Sequence, residues 1–238
     1  ERSREEHGEG EREEEILQFN MSDDFKFPPV IVVTLAEEPW KGKQTSKHLN
    51  ALEIEHTIHE GTQGVTIGLR ATNPYDYDQH GSPLFMHISQ IGCVLSHRNA
   101  LSVAIASGAP EFIVVEDDIK FPEKIKLMFQ MFREALPPDA EVAQLAYRGE
   151  GDKPTEVVND RVQRIFYPFC SSCIWWTREA AKKALVLLKP VDRPFDVMLI
   201  QKVFPFLNHY VPTRSIGDDL SNTKEWPSSV GDAPKIEA

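Results

Sequence analysis

Apolar residues in this chain fall into two patterns, short unbroken runs and longer stretches with helical spacing. Pro29-Val30-Ile31-Val32-Val33-Thr34-Leu35 is of the first kind. Its β-branched residues predict a strand buried on both faces, as in a parallel sheet. Glu111-Phe112-Ile113-Val114-Val115 predicts a second such strand, which Glu116-Asp117-Asp118 breaks off. Between them, Ile91, Val94, Leu95, Leu101, Ala104 and Ile105 recur on one face of a helix expected from Ile88 to Ala106, with Ser89 as N-cap and Gly108 as its stop.

The remaining elements are shorter. Val65-Thr66-Ile67-Gly68-Leu69 has strand composition, and residues 72–84 mix Pro, Gly, Tyr and Asp without period and are expected to be a loop. The segment Trp40 to Lys47 is polar and Lys-rich, followed by apolar positions at Leu49, Leu52 and Ile54. A helix is expected over about 122–135, stopped by Pro137-Pro138. Strands are expected at Glu141–Tyr147, Arg161–Tyr167, Cys173–Trp176 and Asn208–Pro212. Thr177 caps a helix reaching Leu188, and a short helix starts near Asp196. Strand–helix alternation predicts one α/β domain, a mostly parallel sheet with helices on both faces. Ligands of such sheets gather at the carboxyl ends of the strands, where the acidic triplet lies.

Charge sharpens the domain boundaries. Net charge is −11, and residues 1–24 hold ten acids against three arginines. That leading segment has no period and is expected to lack order. The folded domain is assigned to 25–225, and 226–238 to a C-terminal tail. There is no basic stripe of the kind nucleic acid requires. No apolar run approaches the ~20 residues that span a bilayer, and no secretory signal opens the chain. A cytoplasmic location is therefore expected for the chain as it stands, with a secretory lumen the alternative for a precursor bearing a leader or anchor. Cys93, Cys170 and Cys173 are too few for a disulfide scaffold, and the Cys170–Cys173 pair has no partner pair with which to hold zinc.

Three consecutive carboxylates at the end of a buried strand repel one another unless something neutralises them. Hard oxygen donors suit magnesium or manganese. In extended backbone Glu116 and Asp118 face one side and Asp117 the other. One side can then meet a metal-bound diphosphate, the other a sugar hydroxyl or an amide. Taken alone, the triplet reads equally well as acids capping the next helix or lying in solvent. Trp175 and Trp176 point to opposite faces of their strand, into core or, for one of them, towards a sugar. The aperiodic segment with Tyr75 and Tyr77 is long enough for a lid on the acceptor side.

Ile91-Gly92-Cys93-Val94-Leu95-Ser96-His97, followed by Phe112-Ile113-Val114-Val115-Glu116-Asp117-Asp118, resembles glycosyltransferase family 25. That family includes bacterial lipopolysaccharide glycosyltransferases and collagen galactosyltransferases. Its pattern is a Gly-Cys-x-x-Ser-His helix and then an apolar strand ending in Glu-Asp-Asp. Weaker similarity runs over roughly residues 29–223. The chain departs from the pattern after the first strand, where Thr34-Leu35 replaces an Asn-Leu pair and Lys41 and Lys43 replace arginines.

The resemblance implies a GT-A type, Rossmann-like nucleotide-sugar-binding fold. It also implies inverting transfer of galactose or glucose from a UDP-sugar, with Mn2+ or Mg2+, to a glycan or protein hydroxyl. On that basis Glu116 and Asp118 are the expected metal ligands, and Asp117 touches the donor's ribose or sugar. Thr34, Leu35, Lys43, Ser96 and His97 are further expected donor contacts. Inversion requires a general base, and Asp196 is the first candidate, with Asp218 and Asp219 as alternatives for that role or for completing the metal shell. The other histidines show no shared metal spacing and are expected at the surface or hydrogen-bonded, with His209, near a late strand, the one able to approach the metal. Competing expectations are an inactive nucleotide-sugar or glycan-binding module of the same fold and a magnesium phosphohydrolase, the latter lacking any Asp-x-Asp nucleophile or Walker loop.

Overall fold

The computed structural model describes residues 22, 24–63, 72–77, 83–148, 155–166 and 168–220. The acidic leader apart from Ser22 and Asp24, the strand expected at Val65–Leu69 and the tail from Trp226 lie outside the described residues. The elements in order are β1 (Val30–Thr34), α1 (Pro39–Ala51), β2 (His56–Glu60), β3 (Thr72–Tyr77), β4 (Pro83–Phe85), α2 (Ile88–Ser107), β5 (Glu111–Glu116) and β6 (Ile119–Lys120). There follow α3 (Ile125–Ala135), β7 (Val142–Arg148), β8 (Thr155–Val157), β9 (Val162–Ile165), β10 (Phe169–Thr177), α4 (Arg178–Leu187), α5 (Phe195–Met198), β11 (His209–Pro212) and β12 (Asp218–Asp219).

Among the described residues eight strands form one sheet, in the order β2-β1-β5-β10-β7-β11-β9-β8. β1 is parallel to β2 and β5, and β11 to β7. Only β10 and β9 run against the rest, so strand direction is mostly shared across the sheet. Two ribbons stand apart, β3 with β4 and β6 with β12.

Side-chain alternation along the central strands divides the core in two. Phe112, Val114, Ile174 and Trp176 pack on one face against Val94, Leu101 and Ala104 of α2 and Ala180, Ala181 and Ala184 of α4. Ile113, Val115, Cys173 and Trp175 pack on the other against Leu49 of α1 and Ile125, Phe129 and Phe132 of α3. The helices thus cover both faces of the sheet.

Trp175 and Trp176 are both fully buried, so neither is left to stack on a sugar. Trp175 also donates from Nε1 to Glu111 Oε2 at 3.2 Å, with the Arg133 guanidinium 5.0 Å from its ring centroid. Trp175→Ala is expected to cost about 3–5 kcal/mol of stability, read from the denaturant midpoint. A loss below ~1 kcal/mol would contradict the packing described.

Two local expectations are corrected, and one segment left without an element is assigned. The polar segment from Trp40 to Lys47 is helical, because the buried stripe of α1 is Lys41, Gly42, Thr45 and Leu49 and carries little apolar signal. Helix α2 is capped by His87 rather than Ser89. The His87 imidazole accepts from the Ser89 amide, while the Gln90 side chain accepts from the His87 amide at 3.0 Å. Gly108 does end the helix, at φ +82° in the left-handed region that glycine tolerates. Residues expected to be loop over 72–84 include the antiparallel β3–β4 ribbon. A ribbon outside the main sheet is not obliged to show the alternation of a half-buried strand.

Candidate functional site

The end of β5 delivers the acidic triplet to the carboxyl edge of the parallel strands. Glu116 is the last residue of the strand, and Asp117 and Asp118 make the turn into β6. The turn is pinned from both sides. Thr45 Oγ1 donates to the Asp117 carbonyl at 2.7 Å, and the Leu220 amide donates to the Asp118 carbonyl at 2.8 Å.

The side chains of the triplet then diverge. Glu116 and Asp118 line a cleft of about 480 Å³ whose wall also includes Cys93, Ser171, Phe195, Asp196 and Asp219. Asp117 turns the other way, accepting from Thr34 Oγ1 at 2.5 Å. Thr34, Leu35 and Lys43 line a second cleft of about 530 Å³, together with Ser46, Asn50 and Ile58. Gly42 allows this approach of α1 to β1, since a Cβ there would stand 2.8 Å from Thr34 Cγ2. Lys41 does not reach either wall. It is buried, with its ammonium 2.8 Å from Glu38 Oε2.

Within the first cleft each acid has a distinct environment. His97 Nε2 lies 2.9 Å from Glu116 Oε1, and Ser171 Oγ donates to the same oxygen at 3.3 Å. The His97 ring is itself stacked on Phe195 with centroids 4.1 Å apart. Asp118 Oδ1 is buried and has no hydrogen-bond partner among the described residues. Burial, reinforced by Glu116, Asp219 and Asp117, pushes the Asp118 carboxyl up to about 8. Asp117 is raised to about 6, chiefly by burial and against the Thr34 hydrogen bond and Lys41. Asp196 is raised by burial and by Glu116, although its Oδ1 accepts from the Val197 amide at 2.8 Å.

Asp219 reaches the cleft through the β6–β12 ribbon, which sets Asp219 opposite Ile119, the residue after Asp118. The Cys170 thiol donates to Asp219 Oδ2 at 3.2 Å. Cys170 sits in an irregular stretch of β10 between Phe169 and Cys173, with φ +80°, a conformation non-glycine residues rarely adopt. The irregularity turns Cys170, Ser171 and Ser172 towards the cleft, a place where strained backbone tends to concentrate.

Two predicted residues stand elsewhere. Ser96 lies behind the clefts, buried, accepting from the Thr62 amide and donating to the Gly92 carbonyl, each at 2.7 Å. His209 is not near the acids. It is opposite Val142 in the sheet, which is level with Trp176 and hence with Phe112 at the far end of β5. There it is buried against Phe204, ring centroids 3.8 Å apart, and burial drops its imidazole to about 3. Asp218 is exposed on β12, whereas Asp219 faces the cleft.

The buried Asp118 carboxylate, with an unpartnered oxygen and other acids close by, concentrates negative charge in the first cleft. Glu116, Asp118, Asp196 and Asp219 share one cleft, and Thr34 and Lys43 line the other.

Comparison with known proteins identifies a family for the chain. The profile of glycosyltransferase family 25 (LPS biosynthesis protein) matches residues 27–173. Procollagen galactosyltransferase 1 of Danio rerio is 25% identical over 182 residues, covering 71% of this chain and 28% of that protein. The chain therefore spans less than a third of that relative's length. A solved structure of a glycosyltransferase involved in the glycosylation of the major capsid of PBCV-1 superposes with a TM-score of 0.48 at 12% identity, over 78% of this chain and 81% of the other.

Proposed function

The chain belongs to glycosyltransferase family 25, and from this we propose that it moves a hexose, galactose or glucose, from a UDP-sugar to a hydroxyl of a glycan or protein, with inversion. The observation that carries the reading is Asp118, whose buried, unpartnered Oδ1 faces Glu116 and Asp219 in the cleft that also holds Asp196.

Oxygen donors of this kind suit a hard ion such as Mn2+ or Mg2+. Glu116, Asp118 and Asp219 would hold the ion, and a bound divalent cation stabilises the negative charge that grows on a departing diphosphate. Every other role belongs to the chain. His97 and Ser171 fix the Glu116 carboxylate, so that it does not have to be ordered during turnover. The Thr34–Asp117 hydrogen bond couples the acidic turn to the wall where Leu35 and Lys43 are available to the nucleotide. Lys43 offers a point charge there for phosphate.

Asp196 is the proposed base. Its carboxylate accepts the proton of the acceptor hydroxyl as that oxygen bonds to the anomeric carbon and the bond from that carbon to UDP breaks. A pKa raised above the ordinary carboxylate value makes it the stronger proton acceptor.

The test is UDP release from a panel of UDP-sugars with manganese, with EDTA, and in Glu116→Ala and Asp118→Ala. Hydrolysis of one donor that disappears with EDTA and in both variants supports the proposal. Donor binding without turnover in the presence of candidate acceptors would favour a binding module of the same fold. Neither binding nor turnover would overturn both.

A further inference from the structure

Beside the His97 that fixes it, Glu116 has a neighbour that the transfer reaction does not use, Cys93. Cys93 and His97 are four residues apart on α2, so their side chains leave the same face of the helix. Cys93 Sγ, a His97 ring nitrogen and a Glu116 carboxylate oxygen all lie within 4.8 Å of one another. This geometry is independent of the acidic turn, being made by one helix face and the end of the neighbouring strand. Cys93 and Glu116 both reach the cleft, so a fourth position beside them opens towards solvent rather than into core.

We infer that Cys93, His97 and Glu116 form a binding site for a thiophilic divalent cation such as zinc, separate from the carboxylate site at Asp118 and Asp219 but sharing Glu116 with it. The inference rests on the proposed function only for its effect on turnover, not for the binding itself.

The chemistry of the ligands separates the two positions. A sulfur and an imidazole nitrogen favour zinc or cobalt, and three protein ligands with one open position form the usual frame of an accessible zinc site. Oxygen donors alone favour manganese or magnesium. His97 coordinates as the neutral ring, with its N–H on Nδ1, and the ion replaces the hydrogen that links Nε2 to Glu116. The Cys93 thiol gives its proton to solvent as the metal–sulfur bond forms, so binding releases a proton and strengthens as pH rises. Burial, with Glu116, Asp196 and Asp118 close by, holds the free Cys93 thiol well above its ordinary value. Without metal the thiol is therefore an uncharged and poorly reactive group.

Sharing Glu116 makes the two cations antagonists. Zinc between His97 and Glu116 withdraws that carboxylate from Asp118, and the manganese-dependent reaction slows. The site would then work as a brake set by the thiophilic metal available to the protein.

Two readouts test this on the purified chain. Titration with Co2+ is expected to give a sulfur-to-cobalt charge-transfer band in the near ultraviolet that saturates at one ion. The band should be lost in Cys93→Ser and kept in Cys170→Ala, which removes the other thiol of the cleft. Zinc should displace the cobalt, and manganese should not. In the activity assay, each protein being compared with its own zinc-free rate, zinc is expected to inhibit manganese-dependent UDP release at least tenfold more strongly in the parent than in Cys93→Ser. Absence of the band, or a band that survives Cys93→Ser, overturns the site. Equal zinc sensitivity in parent and Cys93→Ser overturns the brake. Should no UDP be released under any condition, the proposed function fails, while the cobalt band still decides the metal site.

Discussion

Asp118→Asn is expected to abolish manganese-dependent UDP release, by about 10²–10³-fold or more, while the metal-free protein becomes no less stable. The two halves of this expectation have one cause. In the folded chain the Asp118 carboxyl is raised from 3.8 to about 8 by burial and by the surrounding acids. Such a group is favoured protonated in the fold. Its stabilising contribution is complete below 3.8 and is lost as pH rises through about 8, because the fold must then carry an unwelcome charge. Asparagine has the shape without the charge, and so it should flatten the fall in Tm of metal-free protein between those limits.

Metal reverses the sign. A divalent ion requires the carboxylate deprotonated, so its affinity is expected to climb towards pH 8, and at a hundredfold excess over Kd it should stabilise the parent by ~2.7 kcal/mol. Thermal melts with manganese and with EDTA across pH 5–8, on parent and variant, read all of this. Turnover that persists in Asp118→Asn, or a manganese shift in Tm that the substitution leaves intact, would take Asp118 out of the site.

Asp196→Asn should separate binding from chemistry. If Asp196 receives the acceptor's proton, kcat falls by about 10²–10⁴-fold while donor affinity stays close to the parent value. The pH profile supplies the signature. Turnover of the parent rises as Asp196 loses its proton, and because burial and Glu116 raise that pKa, the acid limb lies above the ordinary carboxylate range. The limb should vanish in Asp196→Asn. An unchanged limb there, combined with its loss in Asp219→Asn, would move the base to β12.

What the sequence made legible follows from how each element is buried. β1 and β5 lie in the middle of a covered sheet, and their unbroken apolar runs announced them. Alternation at the end of β5 was enough to send Glu116 and Asp118 one way and Asp117 the other. Helix α1 was hidden because its inward face is polar, with a buried lysine where a leucine would be expected. Asp219 was one of several candidate acids, and its place in the cleft depends on a two-residue pairing between segments about a hundred residues apart. No local period encodes such a contact. Cys93 read as part of a motif, while its approach to Glu116 depends on how α2 crosses β5, a tertiary fact. His209 was misplaced because proximity along the chain says nothing about which end of a strand a residue occupies.

The β6–β12 ribbon also bears on when the site comes into being. Every described strand of the main sheet, including β11, lies before residue 213, whereas Asp219 arrives only with the segment that follows. Emerging chains fold progressively from their leading end. The scaffold can therefore be complete while the carboxylate trio is still a pair, and a protein in that state would be globular but unready to grip a cation. Maturation of the fold and maturation of the cleft are two events, separated by the passage of a few residues.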